Sequence, residues 1–159
     1  MYFRLALAAT AAFCLSGCVV VDHEKKVVIQ DTKVAHDLGP EGTGLGLPFS
    51  KSVVVNDLIF LSGELGIPPG TRKVVEGGAG PETTQIFQNI ETTLARHGAD
   101  LSDLVKCTVF LEDMADYGAM NEAYKAALPD PKPARSTFGV DGIALGASLE
   151  IECIAVEPK

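Results

Sequence analysis

Two segments, residues 104–111 and 148–156, alternate in side-chain character at every second position, and this alternation constrains the fold more than any other feature. Successive side chains of a β-strand point to opposite faces of a sheet, so a period of two predicts two strands that each bury one face. The faces predicted to be buried are apolar throughout: Val105, Cys107, Val109, Leu111, Leu149, Ile151, Cys153 and Ala155.

Shorter apolar runs complete the predicted set of strands. A first strand is predicted over residues 26–30. Residues 52–55 and 58–62 flank the dipeptide Asn56-Asp57, whose turn-forming side chains predict a hairpin. A further strand is predicted over residues 135–140.

Two other segments have the spacing of amphipathic helices. Apolar residues recur every four positions after Pro81 as far as Leu94, and Gly98 suits the position just beyond a helix end. Proline is favoured at the first helical position, so Pro81 predicts the start of this helix. A second helix is predicted over residues 116–128, which three prolines follow at alternate positions.

One mixed β-sheet with both helices on one face accounts for these elements, because each element then buries one apolar face. The predicted fold class is therefore α+β, and 159 residues suit a single domain. The other face of the sheet has no helix to cover it, although it is partly apolar: Thr108, Phe110, Glu150, Ile154 and Val156. An exposed patch of this kind suggests that copies of the chain associate.

Charge and cysteine spacing exclude several classes of function. The formal net charge is −8, which argues against a general nucleic-acid binder, since that class needs a basic face. The four cysteines form no C-x-x-C pair and have no histidine at zinc-site spacing, so no metal site is predicted. The Gly-rich segment 37–47 does not run from a strand into a helix, so it is not a dinucleotide fingerprint, and no cofactor is predicted.

The first residues read as an export signal. Arg4 precedes an apolar run over residues 5–15 that is too short to span a membrane as a helix. Leu15-Ser16-Gly17-Cys18 resembles the bacterial lipobox, in which the chain is cut before a cysteine that then carries lipid. This predicts a signal peptide over 1–17, a lipidated tether over 18–24 that begins at Cys18, and a domain over 25–159. The alternative is an ordinary signal peptide with a coincidental cysteine.

The predicted anchor implies a location in the bacterial cell envelope. Residue 19 is Val, so the Asp that retains enterobacterial lipoproteins in the inner membrane is absent, and the periplasmic face of the outer membrane is expected. Several acyl chains hold a protein durably on a membrane. Cys107 and Cys153 lie in apolar strands, where buried thiols are the expectation, although a disulfide between them is possible in an oxidising compartment.

Several ordered motifs resemble those of the RidA/YjgF family, the reactive intermediate (enamine/imine) deaminases. They are Leu47-Pro48-Phe49-Ser50, Leu61-Ser62-Gly63, Asn121-Glu122-Ala123-Tyr124, Pro133-Ala134-Arg135-Ser136 and Leu149-Glu150-Ile151-Glu152-Cys153. The resemblance covers about residues 26–157. It implies a chorismate-mutase-like fold and a homotrimer, in which the uncovered sheet faces form a central barrel with three clefts between subunits. It also implies hydrolysis of 2-imino acids to 2-keto acids and ammonia.

The resemblance also assigns roles to individual residues. Arg135 corresponds to the arginine that binds the substrate carboxylate, a task suited to a guanidinium because it offers two parallel hydrogen bonds and stays charged. Glu150 corresponds to the acid that orients water and moves its proton. Glu152 lies on the same predicted face, and only the motif selects Glu150. Five further residues correspond to substrate-binding positions of the cleft: Phe49, Ser62, Gly63, Asn121 and Thr137.

Three positions depart from the family pattern. Phe49 replaces the usual tyrosine and lacks its hydroxyl, and Thr137 replaces the common cysteine. Glu64 replaces the usual glutamine, and its carboxylate would repel an anionic substrate unless it is protonated or paired. These departures leave three hypotheses: an exported imine deaminase, a module that binds small carboxylates without turnover, and a surface scaffold or holdase.

Overall fold

The computed structural model describes residues 33–39 and 48–158, which belong to one compact unit of the chain. The predicted signal peptide, Cys18 and the strand predicted over 26–30 lie outside the described residues. The described elements follow in the order β1 Val34–Asp37, β2 Ser52–Val55, β3 Leu58–Leu61, α1 Ala79–Ala95, β4 Leu104–Leu111, α2 Tyr117–Ala127, β5 Ala134–Gly139 and β6 Leu149–Val156.

All six described strands form one sheet in the order β1-β2-β3-β6-β4-β5. Every neighbouring pair is antiparallel except β4 with β5, which run parallel, so the sheet is mixed as predicted. The helices contact each other through the rings of Phe87 and Tyr124, which meet edge to face with centroids 5.1 Å apart. They cover the sheet face that carries Ile151, and this confirms the predicted α+β architecture.

The predicted alternation holds along β6 and fails at one position of β4. Leu149, Ile151, Cys153 and Ala155 are all buried. On β4, however, Val105 is 44% exposed, and Leu104 is buried in its place. The register with β6 shifts between Leu104 and Lys106, and an irregularity of this kind reverses the faces of the residues before it.

The helix boundaries differ slightly from the predicted ones. Helix α1 begins at Ala79, two residues before Pro81, and Gly78 is its N-cap. Proline is tolerated in this first turn because the first four backbone N–H groups of a helix have no partner within the helix. Gly98 adopts the left-handed conformation with φ 71° just beyond the helix end, as predicted. No helix among the described residues has the length and apolar character needed to cross a bilayer.

Cys107 and Cys153 form a disulfide, which corrects the expectation of buried thiols. Both residues are buried as predicted, at 0% and 2% exposure. They are directly opposite on the antiparallel strands β4 and β6, and their Cα atoms are 4.1 Å apart. Sequence spacing does not reveal this pairing, because it depends on the register between two strands that are 46 residues apart.

The face opposite the helices is uncovered in a single chain and carries exposed apolar side chains, as predicted. Phe60 on β3 is 40% exposed and Phe138 on β5 is 54% exposed. Glu150 and Ile154 of β6 share this face, because they alternate with the buried residues of the same strand.

Candidate active site

Arg135 lies near the start of β5 and points toward helix α2. It is level with the buried Cys107 of β4, so its side chain lies on the helix-covered face. Its Nη2 atom donates to Asn121 Oδ1 and to Tyr117 Oη, both at 3.0 Å. The guanidinium also lies over the Tyr124 ring, 4.6 Å from its centroid. Contacts on several sides therefore hold the cation in one place.

Two hydroxyl groups on this side of the sheet are buried and have no hydrogen-bond partner within the described part of the chain. They belong to Tyr124 and to Thr137, which follows Arg135 by two positions on β5. Burial raises the pKa of Tyr124, and the charge of Arg135 partly opposes this shift. Unsatisfied buried hydroxyls are uncommon in folded proteins, and both of these belong to neighbours of Arg135.

Glu150 lies on the uncovered face, against the end of β3. A Cβ atom built on Gly63 would come within 1.8 Å of Glu150 Oε1, so the carboxylate packs directly on the glycine backbone. Ser62 precedes this contact and is held by a hydrogen bond from its Oγ to the carbonyl oxygen of Ser50. The exposed Phe49 precedes Ser50.

The carboxyl group of Glu150 is easier to protonate than an ordinary glutamate. Partial burial is the main cause of its raised pKa, followed by repulsion from the charges of Glu152 and Glu64. A carboxylate with a raised pKa accepts a proton from water more readily than a fully solvated one, which suits a general base.

Glu64 is buried and paired, so its charge is partly balanced, although it still contributes to the raised pKa of Glu150. Its carboxylate forms an ion pair with Lys51 Nζ and accepts a hydrogen bond from Asn89 Nδ2 at 3.1 Å. The backbone of Glu64 bridges to Ile151, the residue after Glu150. Sequence reasoning missed Lys51 and Asn89, because nothing in the local pattern relates them to Glu64.

The residues assigned to the cleft divide into two groups on opposite faces of the sheet. The arginine cluster comprises Arg135, Asn121 and Thr137, together with Tyr117 and Tyr124, which contact Arg135. The glutamate cluster comprises Glu150, Ser62 and Gly63. Phe49 is linked to this second cluster along the chain, through Ser50. Two strand spacings and three residues separate the backbones of Arg135 and Glu150, which is about 14 Å. A single chain therefore does not bring the two clusters together.

Two cavities of the described chain are lined by residues outside both clusters. One of about 130 Å³ lies on the uncovered face and is lined in part by Phe60 and Glu152. Another of about 380 Å³ lies at β1, beside His36 and His97. Within residues 33–39 and 48–158, no three His, Cys, Asp or Glu side chains converge as a metal site requires.

Comparison with known proteins shows similarity along most of the chain. Residues 45–157 match the family described as Endoribonuclease L-PSP. The chain is 41% identical over 131 residues to Reactive Intermediate Deaminase A, chloroplastic, of Arabidopsis thaliana, covering 82% of this chain and 66% of the relative. It is 36% identical to the mouse 2-iminobutanoate/2-iminopropanoate deaminase, and the match covers 82% of this chain and 90% of the relative. The crystal structure of RidA from the Antarctic bacterium Psychrobacter sp. superposes with a TM-score of 0.66 at 34% identity. The superposition covers 69% of this chain and 89% of the RidA chain.

Proposed function

The chain belongs to the RidA/YjgF/L-PSP family, and from this premise we propose that it hydrolyses 2-imino acids, or their enamine tautomers, to 2-keto acids and ammonia. The observation that carries this proposal is the fixed guanidinium of Arg135. Asn121 and Tyr117 orient it before any ligand arrives. A preorganised cation of this kind suits a small carboxylate, because few degrees of freedom remain to be lost on binding.

The chemistry requires a held substrate and an activated water. Arg135 holds the carboxylate, which places the adjacent imine carbon. Glu150 accepts a proton from a water molecule as the water oxygen bonds to that carbon. The same carboxyl group returns this proton to nitrogen, which gives a tetrahedral carbinolamine. Glu150 then takes the remaining hydroxyl proton and passes it to nitrogen, and the C–N bond breaks to release ammonia as the carbon–oxygen double bond of the keto acid forms.

A cleft with both groups needs two copies of the chain, because the arginine and glutamate clusters lie on opposite faces of one sheet. We propose a homotrimer in which the uncovered faces pack together and each cleft combines the two clusters from neighbouring subunits. The exposed Phe60 and Phe138 support this arrangement, since association would remove them from water.

The proposed activity is tested by generating a 2-imino acid in situ with an amino-acid oxidase. Semicarbazide traps the imine in competition with hydrolysis. Purified protein is expected to lower the yield of trapped imine and to speed release of keto acid and ammonia. Folded protein that leaves the trapped yield unchanged would refute the deaminase. Binding of keto acids without turnover would then favour the hypothesis of a carboxylate-binding module. If no keto acid bound, the scaffold or holdase hypothesis would remain.

We further propose that the protein is exported and lipid-anchored in the cell envelope, on the periplasmic face of the outer membrane. The apolar leader and the sequence ending in Cys18 support this. The Cys107–Cys153 disulfide also suits an oxidising compartment. The substrate would then be an imine formed outside the cytoplasm.

Cys18→Ser is expected to move the protein from the membrane fraction to the soluble fraction of the envelope, because serine offers no sulfur for lipid attachment. Fractionation of cells followed by immunoblotting measures this distribution. Cys14→Ser, which removes the neighbouring cysteine of the leader, serves as the matched control and should leave membrane association intact. Membrane association of the Cys18→Ser protein equal to that of the wild type would rule out the anchor.

Gly63→Ala is expected to lower kcat/KM by about hundredfold, because the new methyl group would occupy the place of the Glu150 carboxylate and displace the base. Steady-state kinetics in the imine assay measures the loss. Gly80→Ala is the control, since its Cβ would make only an ordinary contact at 3.8 Å. Equal kinetics in Gly63→Ala and the wild type would show that the position of Glu150 is not critical.

A further inference from the structure

Tyr117 places an exposed hydroxyl group beside Arg135. It is the first residue of α2, its side chain is 39% exposed, and its Oη lies 3.0 Å from Arg135 Nη2. A guanidinium has no acceptor atom, so the tyrosine oxygen must be the acceptor in this hydrogen bond. The hydroxyl hydrogen therefore remains available for donation to another group.

The hydrogen bonds of Arg135 determine how an acid can reach it. Arginine binds a carboxylate in a bidentate manner, either through Nη1 and Nη2 or through Nε and Nη2. Both arrangements use a hydrogen of Nη2. Tyr117 and Asn121 both already accept from Nη2. An incoming carboxylate must therefore displace one of these acceptors.

Tyr117 is the acceptor more easily displaced. Its hydrogen bond to Arg135 is exposed to solvent, whereas that of Asn121 is partly buried. A tyrosine that releases Nη2 remains next to the carboxylate and can donate its own hydrogen to a carboxylate oxygen. No hydroxyl is available from Phe49.

We propose that Tyr117 is a substrate-binding residue, whose hydroxyl changes from an acceptor of Arg135 to a donor to the carboxylate that Arg135 holds. This inference rests on the proposed carboxylate site, and its ligands are small 2-keto and 2-imino monocarboxylates. The acid is then bound by a guanidinium and a phenol together. Tyr117 thereby raises affinity for the acid without taking part in proton transfer.

Tyr117→Phe tests the proposal because it retains the ring over Arg135 and removes only the hydroxyl. Calorimetric titration with pyruvate is expected to show affinity about tenfold weaker than that of the wild type. In the imine assay KM should rise by a similar factor while kcat changes little, since the lost interaction is present in both ground and transition states. Thr92→Val, which removes an exposed hydroxyl from α1, is the matched control.

The outcomes separate this inference from the proposed function. Unchanged affinity in Tyr117→Phe would overturn the binding role. Tighter binding would also overturn it, since it would show that the hydroxyl merely competes with the acid for Arg135. Weaker pyruvate binding in a protein that does not hydrolyse imines would support the role of Tyr117 and refute only the deaminase. Imine hydrolysis with identical KM in both proteins would refute only the role of Tyr117.

Discussion

Arg135→Lys is expected to lower kcat/KM for a 2-imino acid by at least about hundredfold, although the positive charge is retained. A lysine ammonium cannot make two coplanar hydrogen bonds to a carboxylate, and it also loses the paired contacts to Asn121 and Tyr117. The carboxylate would then no longer place the imine carbon precisely. Steady-state kinetics in the imine assay, with calorimetric binding of pyruvate, measures both effects.

Arg96→Lys is the charge-matched control for this substitution. Arg96 follows α1 and pairs with Asp37, away from both clusters, so its replacement should leave kcat/KM close to the wild-type value. Thermal unfolding of both variants checks that the fold is retained. A wild-type value of kcat/KM in Arg135→Lys would show that a positive charge alone is enough for substrate binding and that bidentate hydrogen bonds are not required.

Glu150→Gln is expected to lower kcat by about a hundredfold or more, because glutamine cannot accept the proton of the attacking water. In the wild type, kcat should fall as the pH falls through the pKa of Glu150. Burial and the neighbouring charges raise that pKa, so the acidic limb lies at higher pH than for a solvated glutamate. A pH–rate profile measures this limb.

The free energy of unfolding of Glu150→Gln distinguishes a catalytic role of Glu150 from a structural one. A raised pKa in the folded state means that folding favours the protonated form, and this contribution to stability is lost as the pH rises through that pKa. At neutral pH, therefore, Glu150→Gln should not lower the free energy of unfolding. Loss of activity together with loss of stability would indicate a structural role instead.

Glu152→Gln is the matched control, since Glu152 lies on the same face and its charge contributes to the raised pKa of Glu150. This variant should remain active, with the acidic limb of its pH–rate profile moved to lower pH. The comparison decides experimentally between two glutamates that the alternating pattern leaves equivalent. Full activity in Glu150→Gln with loss in Glu152→Gln would reverse the assignment.

A mixture of the two inactive variants tests the composite cleft. If each cleft takes Arg135 from one subunit and Glu150 from its neighbour, random reassembly of equal amounts leaves about a quarter of the clefts with both native residues. Refolding Arg135→Lys and Glu150→Gln together should therefore restore activity that neither variant has alone. If mixed trimers recovered no activity, Arg135 and Glu150 of a working site would have to come from the same chain.

Local sequence pattern predicted most of the elements correctly. Period-two alternation identified β4 and β6 almost to the residue, and the helical spacing of apolar residues identified both helices. The face of Val105 was predicted wrongly, because the irregularity that exposes it depends on how β4 pairs with β6. Period and composition are properties of neighbouring residues, whereas strand register depends on residues far apart in the chain.

The identities of Arg135, Glu150 and the other assigned residues came from motifs in the sequence, together with the chemistry that their side chains permit. Only the tertiary structure decided that these residues form two clusters on opposite faces of the sheet. It also decided that Glu64 is paired with Lys51 and Asn89, and that Cys107 forms a disulfide with Cys153. It also placed Tyr117 against Arg135. The reason is physical: a side chain's chemistry belongs to the residue itself, but its partners are determined by strand order, register and helix packing.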